Sequence, residues 1–279
     1  MVTPFAEDGS VDLSACRRVA RYLIESGSHG LVLCGTTGES PTLDDAEKLS
    51  ILKAVREELG DEGQLIVGSG SNDTRHSVEL TRAVTDEGAD GALIVTPYYN
   101  KPNPAGIRAH FEACAGATEL PVIIYNIPSR CVINIPPPEL AELAGIENVV
   151  AVKQANADDL GPIVGLDVLA GDDNVFHRCL NSGGTGGILV ASHLVGPQMR
   201  ELYEAHEAGD ADRARDLDDG LQPFFEELGV TTNPIPVKTA LGMLGVCSER
   251  MRLPMVPASE EQRRTIHGAL DRQGLSAAV

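Results

Sequence analysis

Basic side chains are scarce in this chain, with 22 lysines and arginines against 41 aspartates and glutamates, for a formal net charge of −19. Nucleic-acid binding needs a concentrated cationic face, and no Lys/Arg cluster of that kind occurs, so that class of partner is excluded. If the ligand is an anion, a few cations inside a cleft must outweigh the diffuse acidic exterior. Cysteine is sparse as well. The six positions (Cys16, Cys34, Cys114, Cys131, Cys179 and Cys247) are scattered and contain no C-x-x-C pair, which excludes a disulfide framework and reads as reduced, mostly buried thiols. The seven histidines show neither H-x-x-x-H nor H-E-x-x-H spacing, so no metal set is expected. Uncharged apolar runs of about 18 residues, the length a membrane span needs, are missing. The opening Met1-Val2-Thr3-Pro4-Phe5 has no basic stretch followed by an apolar one, so a secretory signal is not expected and a cytoplasmic location is the default.

What is present is a repeated unit of short apolar run, polar or glycine-bearing loop, and amphipathic helix. Strands are expected at 31–33, 65–67, 92–95, 122–125, 149–152, 168–170 and 187–190, with a truncated one at 1–3. Helices are expected between them at 44–59, 74–87, 104–118 and 138–145, several opened by proline or a short polar cap. Continuous apolar strands separated by helices predict a parallel sheet buried on both faces. Eight strands in a chain of 279 residues predict a (β/α)8 TIM barrel, in the α/β class, which routinely holds about 250 residues in one domain. An open doubly wound sheet is the rival, disfavoured because no G-x-G-x-x-G follows the first strand. Beyond residue 196 helices are expected at 198–208, 211–229, 236–244 and 259–270. The expected organisation is therefore a barrel over 1–208 and a C-terminal helical extension over 209–279. Met1 falls where the middle of the first strand should lie, so the native reading frame is expected to extend upstream.

Barrel enzymes carry their chemistry at the C-terminal ends of strands. Lys153 stands at such an end, after Val149-Val150-Ala151-Val152 and before the helix-opening stretch 154–158. An amine held among apolar neighbours loses hydration, which favours its neutral, nucleophilic form and suits Schiff-base chemistry. Alone, such a lysine reads more readily as a surface residue closing a strand, since most lysines are solvated. The other strand ends deliver Cys34-Gly35-Thr36-Thr37-Gly38-Glu39-Ser40, Thr96-Pro97-Tyr98-Tyr99-Asn100-Lys101-Pro102 and Tyr125-Asn126-Ile127-Pro128-Ser129-Arg130. Three of only five tyrosines thus fall at strand ends. Phenols linked through hydroxyls can move the protons that imine formation requires, although each reads singly as a half-buried structural tyrosine. Arg130 offers a fork for a carboxylate, and Gly171-Asp172-Asp173 and Gly183-Gly184-Thr185-Gly186-Gly187-Ile188 allow either close backbone approach or tight turns. A phosphate loop at the second run is disfavoured, because it precedes its strand instead of opening a helix.

Taken together, G-T-T-G-E-S at 35–40, T-P-Y-Y-N-K-P at 96–102, Y-N-I-P-S-R at 125–130, Lys153, G-D-D at 171–173 and N-P-I-P-V-K at 233–238 resemble the 4-hydroxy-tetrahydrodipicolinate synthase (dihydrodipicolinate synthase) family. That family lies in the pyruvate-dependent class I aldolase superfamily, with N-acetylneuraminate lyase. The resemblance spans essentially the whole chain. It implies condensation of pyruvate with L-aspartate 4-semialdehyde, in lysine biosynthesis by the diaminopimelate route, without metal or cofactor. It implies Lys153 as the imine-forming lysine, Tyr125 as proton donor and acceptor, and Thr36 and Tyr99 as further relay members. Thr37 and Ile188 would hold pyruvate, Gly171 would line the same pocket, and Arg130 would place the semialdehyde's carboxylate. It also implies a homotetramer, a dimer of dimers, in which Tyr99 crosses to complete a neighbour's site.

Two departures stand out. The family often reads K-E-A-T-G after its lysine, where this chain has Lys153-Gln154-Ala155-Asn156-Ala157. Tyr98 and Asn72 match a lysine-inhibitory site of some members, but Pro41, Asp45, Lys48 and His76 stand where sensitive members often carry other residues. Lys48 would set a cation near an incoming ammonium, so weak or absent lysine feedback is expected. The alternatives are a related aldolase or lyase acting on a keto sugar acid, against which Arg130 and the double tyrosine argue, and a catalytically silent keto-acid sensor.

Overall fold

The computed structural model describes residues 1–275. The chain divides into two compact units, one formed by Met1–Gly63 together with the chain from Val190 onward, the other by Gln64–Leu189.

The second unit is built on six strands: β2 (Gln64–Gly68), β3 (Gly91–Val95), β4 (Val122–Asn126), β5 (Val149–Gln154), β6 (Asp167–Ala170) and β7 (Gly186–Gly187). Each pairs in parallel with the next. Parallel neighbours need a crossover, and helices Thr74–Asp86, Pro104–Ala115, Pro137–Leu143 and Phe176–Asn181 lie in the intervals. The sequence explains why the strands are buried on both faces: Gly91-Ala92-Leu93-Ile94-Val95 and Val122-Ile123-Ile124-Tyr125-Asn126 have almost no solvent-exposed member. Helix starts are equally legible. Asp73 and Asn103 accept backbone N–H groups of the first turns that follow them, and Pro104 sits at the first helical position.

The first unit holds helix Leu13–Glu25, strand β1 (Gly30–Leu33), helix Asp45–Leu59 and four later helices, Ser192–Glu207, Ala211–Leu228, Ile235–Met243 and Glu260–Arg272. Asp44 and Glu47 cap the helix at 45 reciprocally. A buried ion pair joins Lys238 to Glu39, Nζ to Oε1 2.6 Å, with the same amine donating to the carbonyl of Thr3 at 2.8 Å. Burial pulls the Lys238 ammonium below its ordinary range, and the Glu39 contact opposes that pull.

Four expectations are corrected. Residues 1–3 form no ladder, because groups that a ladder would use go elsewhere: the Val2 N–H donates to His193 Nε2 (3.2 Å) and the Thr3 carbonyl accepts from Lys238. The strand expected at 187–190 is the two-residue β7, since β6 ends at Ala170 and the Ile188 N–H takes that residue's carbonyl (2.9 Å). No α-helix opens after Lys153. β5 continues through Gln154, and only a single turn, Ala157–Asp159, follows, with Asn156 accepting the Asp158 N–H. Finally, the helix expected from residue 198 begins at Ser192; Pro197 lies inside it, and Val195 absorbs the mismatch at φ −116°, ψ 35°.

Candidate active site

Lys153 and Tyr125 are register partners on β5 and β4. Alternation of side chains along parallel strands puts register partners on one face. The Lys153 amine accordingly stands over the Tyr125 ring, 4.3 Å from its centroid. Both side chains are buried, Lys153 at 8% exposure and Tyr125 at 5%. An amine and a phenol are thus held together in a water-poor setting, a geometry fit for carbonyl addition and for moving the accompanying protons.

Gly171 follows β6 and donates its N–H to the Gln154 carbonyl (2.8 Å). A Cβ there would stand 2.8 Å from both Ala155 Cβ and the Gln154 carbonyl oxygen, so glycine is what lets the two chain segments approach. Ile188 is tied to Ala170 beside it. Arg130 is exposed, on the short helical turn Pro128–Cys131 that leaves β4.

Sequence reasoning passed over Asp172 in the same G-D-D run. Desolvation raises this carboxyl above its ordinary range, while the charges of Lys153 and Arg130 pull it down. Asp172 therefore reports that the strand-end lysine and the loop arginine share one electrostatic neighbourhood. The run was visible in the sequence; its carboxylate was not weighed.

Tyr99 behaves unlike the other tyrosines. It is 86% exposed and its φ is +71°, in the left-handed region that costs a non-glycine residue energy. Lys101, two residues on, has φ +48°. In the first unit, Thr36 and Thr37 lie in the turn after β1, where the Glu39 N–H closes on the Thr36 carbonyl (3.1 Å) and Asn233 Nδ2 donates to Thr37 Oγ1 (2.9 Å). An amide N–H can only donate, so Thr37 accepts and keeps its own O–H to give away.

A buried lysine and tyrosine at adjacent ends of parallel strands stand where α/β enzymes carry their chemistry. The chain belongs to the dihydrodipicolinate synthetase family, whose model matches residues 1–273. It is similar to the 4-hydroxy-tetrahydrodipicolinate synthase of Moorella thermoacetica, 43% identical over 282 residues that cover 99% of this chain and 97% of that protein. Among solved structures, the dihydrodipicolinate synthase from Aquifex aeolicus superposes with a TM-score of 0.96 at 37% identity, covering 100% of this chain and 98% of that one. The chloride-inhibited dihydrodipicolinate synthase from Acinetobacter baumannii, complexed with pyruvate, gives 0.95 at 35% identity, covering 99% and 97%. These likenesses place the chain in the (β/α)8 TIM-barrel class with C-terminal helices, and make it an enzyme of lyase type. No helix among the described residues is long and apolar enough to cross a membrane.

Proposed function

We propose that the chain condenses pyruvate with L-aspartate 4-semialdehyde through an imine on Lys153, giving 4-hydroxy-tetrahydrodipicolinate for the diaminopimelate route to lysine. The Lys153 amine over the Tyr125 ring, in a chain of this family, is the observation that carries the reading. Addition of the amine to the keto carbon of pyruvate forms a carbinolamine, and loss of water gives the imine. Loss of a methyl proton then gives the enamine, with the protonated imine nitrogen as electron sink. The enamine carbon attacks the aldehyde carbon, whose oxygen takes a proton. The substrate's own amine finally adds to the imine carbon, closes the ring and expels Lys153.

Tyr125 is the proton donor and acceptor for these steps, and its burial beside the amine supports that role. Thr36 and Tyr99 are the further relay members that the resemblance implies. Thr37 and Ile188 bind pyruvate, and Gly171 lines that pocket. The free O–H that Asn233 leaves on Thr37 suits a carboxylate oxygen. Arg130, a planar fork on the turn that leaves β4, binds the carboxylate of the second substrate. The exposure of Tyr99 on a strained backbone supports a subunit-crossing role and, with it, a homotetramer of tight dimers. A cytoplasmic site of action belongs to the same reading, as does the barrel over 1–208 with an extension over 209–279.

The test is borohydride reduction in the presence of pyruvate, with the adduct mapped by mass spectrometry. The expected product is one pyruvate-derived adduct on Lys153, absent from Lys153→Ala. Trapping on any other residue, or none, overturns the proposal.

A further inference from the structure

Asn126 and Gln154 follow Tyr125 and Lys153 in the two strands and are themselves register partners, so their side chains share the opposite face. Both are fully buried. Asn126 Nδ2 donates to Gln154 Oε1 (3.0 Å), and the same oxygen accepts from the Asn156 N–H (3.1 Å). Asn156 Nδ2 donates to Asp159 Oδ2 (2.8 Å), which also accepts from Asn134 Nδ2 (2.7 Å), and Asn134 Oδ1 accepts from Asn126 Nδ2 (2.9 Å). Five residues thereby close a ring, with four links between side chains and one through the Asn156 backbone N–H. Gln154 Nε2 finds no acceptor among the described residues, so this residue joins the ring through its oxygen alone.

The ring also fastens a loop. Asn126 Oδ1 accepts from the Ile135 N–H (3.1 Å), and its Nδ2, with two hydrogens for three acceptors, shares one of them with the Ile135 carbonyl (3.2 Å). The start and end of 127–135, the segment that carries Arg130, are thus pinned to each other by one amide. Within that segment Val132 is held at φ +68°. A β-branched residue pays for that conformation on the order of 1–3 kcal/mol, and it persists only where its surroundings over-determine it. The turn at 157–159 is tied in turn by Arg178, whose guanidinium donates to the Ala157 carbonyl (2.6 Å). Gln154 and Asn156 are the two polar positions at which this chain departs from K-E-A-T-G.

We propose that Asn126, Asn134, Gln154, Asn156 and Asp159 form a positioning clasp that fixes Arg130 relative to the Lys153–Tyr125 pair and so sets affinity for the carboxylate of the second substrate. The inference rests on the function proposed above. Networks of this kind act as a unit, because each bond orients the next. Asp159 accepts from two amides, so its loss breaks two links of the ring at once.

The experiment compares Asp159→Ala, Asp159→Asn, Arg130→Ala and the double variant Arg130→Ala/Asp159→Ala. Two readouts are taken, borohydride trapping of pyruvate and steady-state KM and kcat for aspartate semialdehyde. Asp159→Ala is expected to raise the semialdehyde KM about tenfold, as misplacement of an orienting group does, while pyruvate trapping keeps its wild-type rate. Asp159→Asn is expected to stay near wild type, since an amide oxygen can accept both bonds. In the Arg130→Ala background the Asp159 change should add nothing, because both act through one contact. A full additive effect, equal loss in Asp159→Asn, an unchanged KM, or slowed trapping in Asp159→Ala would each overturn the clasp. Should Asp159→Ala fail to fold, Asn134→Ala, at an exposed position, carries the same comparison. Failure of wild-type protein to trap pyruvate sinks the proposed function instead, and is told apart by occurring without any substitution.

Discussion

At the scale of single residues, chemistry is decided by what surrounds each polar group. Lys153 and Lys238 are both buried, yet their neighbours differ. Lys238 spends its ammonium on Glu39 and the Thr3 carbonyl, a closed arrangement in which loss of one partner leaves a charge stranded. Lys153 faces the Tyr125 ring, a contact that sets no carboxylate against the amine. Tyr125→Phe keeps the ring and removes the proton carrier. It is expected to lower kcat by about a hundredfold or more with a smaller change in the pyruvate KM; equal kcat in the variant would remove Tyr125 from the relay. The cysteines show the opposite case. Burial pushes the thiols of Cys16, Cys34 and Cys114 up to about 12 and those of Cys131, Cys179 and Cys247 up to about 11, so they stay thiols, and inert, near neutral pH.

At the scale of elements, polar contacts between neighbouring helices carry a pH dependence. His110, on helix Pro104–Ala115, shares a hydrogen bond with Thr74 Oγ1 at the start of helix Thr74–Asp86 (Nδ1 to Oγ1 2.9 Å). Burial holds its pKa down at about 4. Below about pH 6.5 the unfolded chain takes up a proton that the folded chain refuses until about pH 4. Stability contributed by the neutral ring is therefore complete above that window and falls as pH drops through it. The loss is on the order of 3 kcal/mol by linkage. Urea unfolding of His110→Gln is expected to show a shallower decline between pH 6.5 and 4 than wild type; parallel curves would dispose of the claim. His193 acts with the same sign, its pKa lowered to about 3 by burial, with Nδ1–H donating to the Val190 carbonyl and Nε2 accepting from Val2.

At the scale of the whole molecule, assembly is the question that Tyr99 raises. Tyrosine exposed to 86% on left-handed backbone is costly in a free subunit and explicable if a second copy covers it. Sedimentation of the active enzyme is expected to give a dimer or tetramer. Tyr99→Phe is expected to lower kcat without dissociating it. Full activity of a monomer would contradict the crossing role.

The alternation of strand and helix, the helix starts near residues 44, 74 and 104, and the strand-end position of Lys153 were legible in the sequence, because they follow from periodicity and local start signals. Residues 1–3, the two-residue β7, the turn after Gln154 and the kink at Val195 were not. The first two depended on partners elsewhere in the chain, His193 and Lys238 for residues 1–3 and the end of β6 for β7; the other two turned on the detailed backbone geometry around Asn156 and Pro197, which periodicity does not carry. The same division runs through the candidate site. Sequence motifs named Lys153, Tyr125 and Arg130, since residue type at a strand end or loop is a local property. Only the tertiary structure set the amine over the phenol's ring, put Asp172 within the field of Lys153 and Arg130, and closed the amide ring behind them. Distance and burial are made by the register of parallel strands far apart in the chain, and no local pattern carries that register.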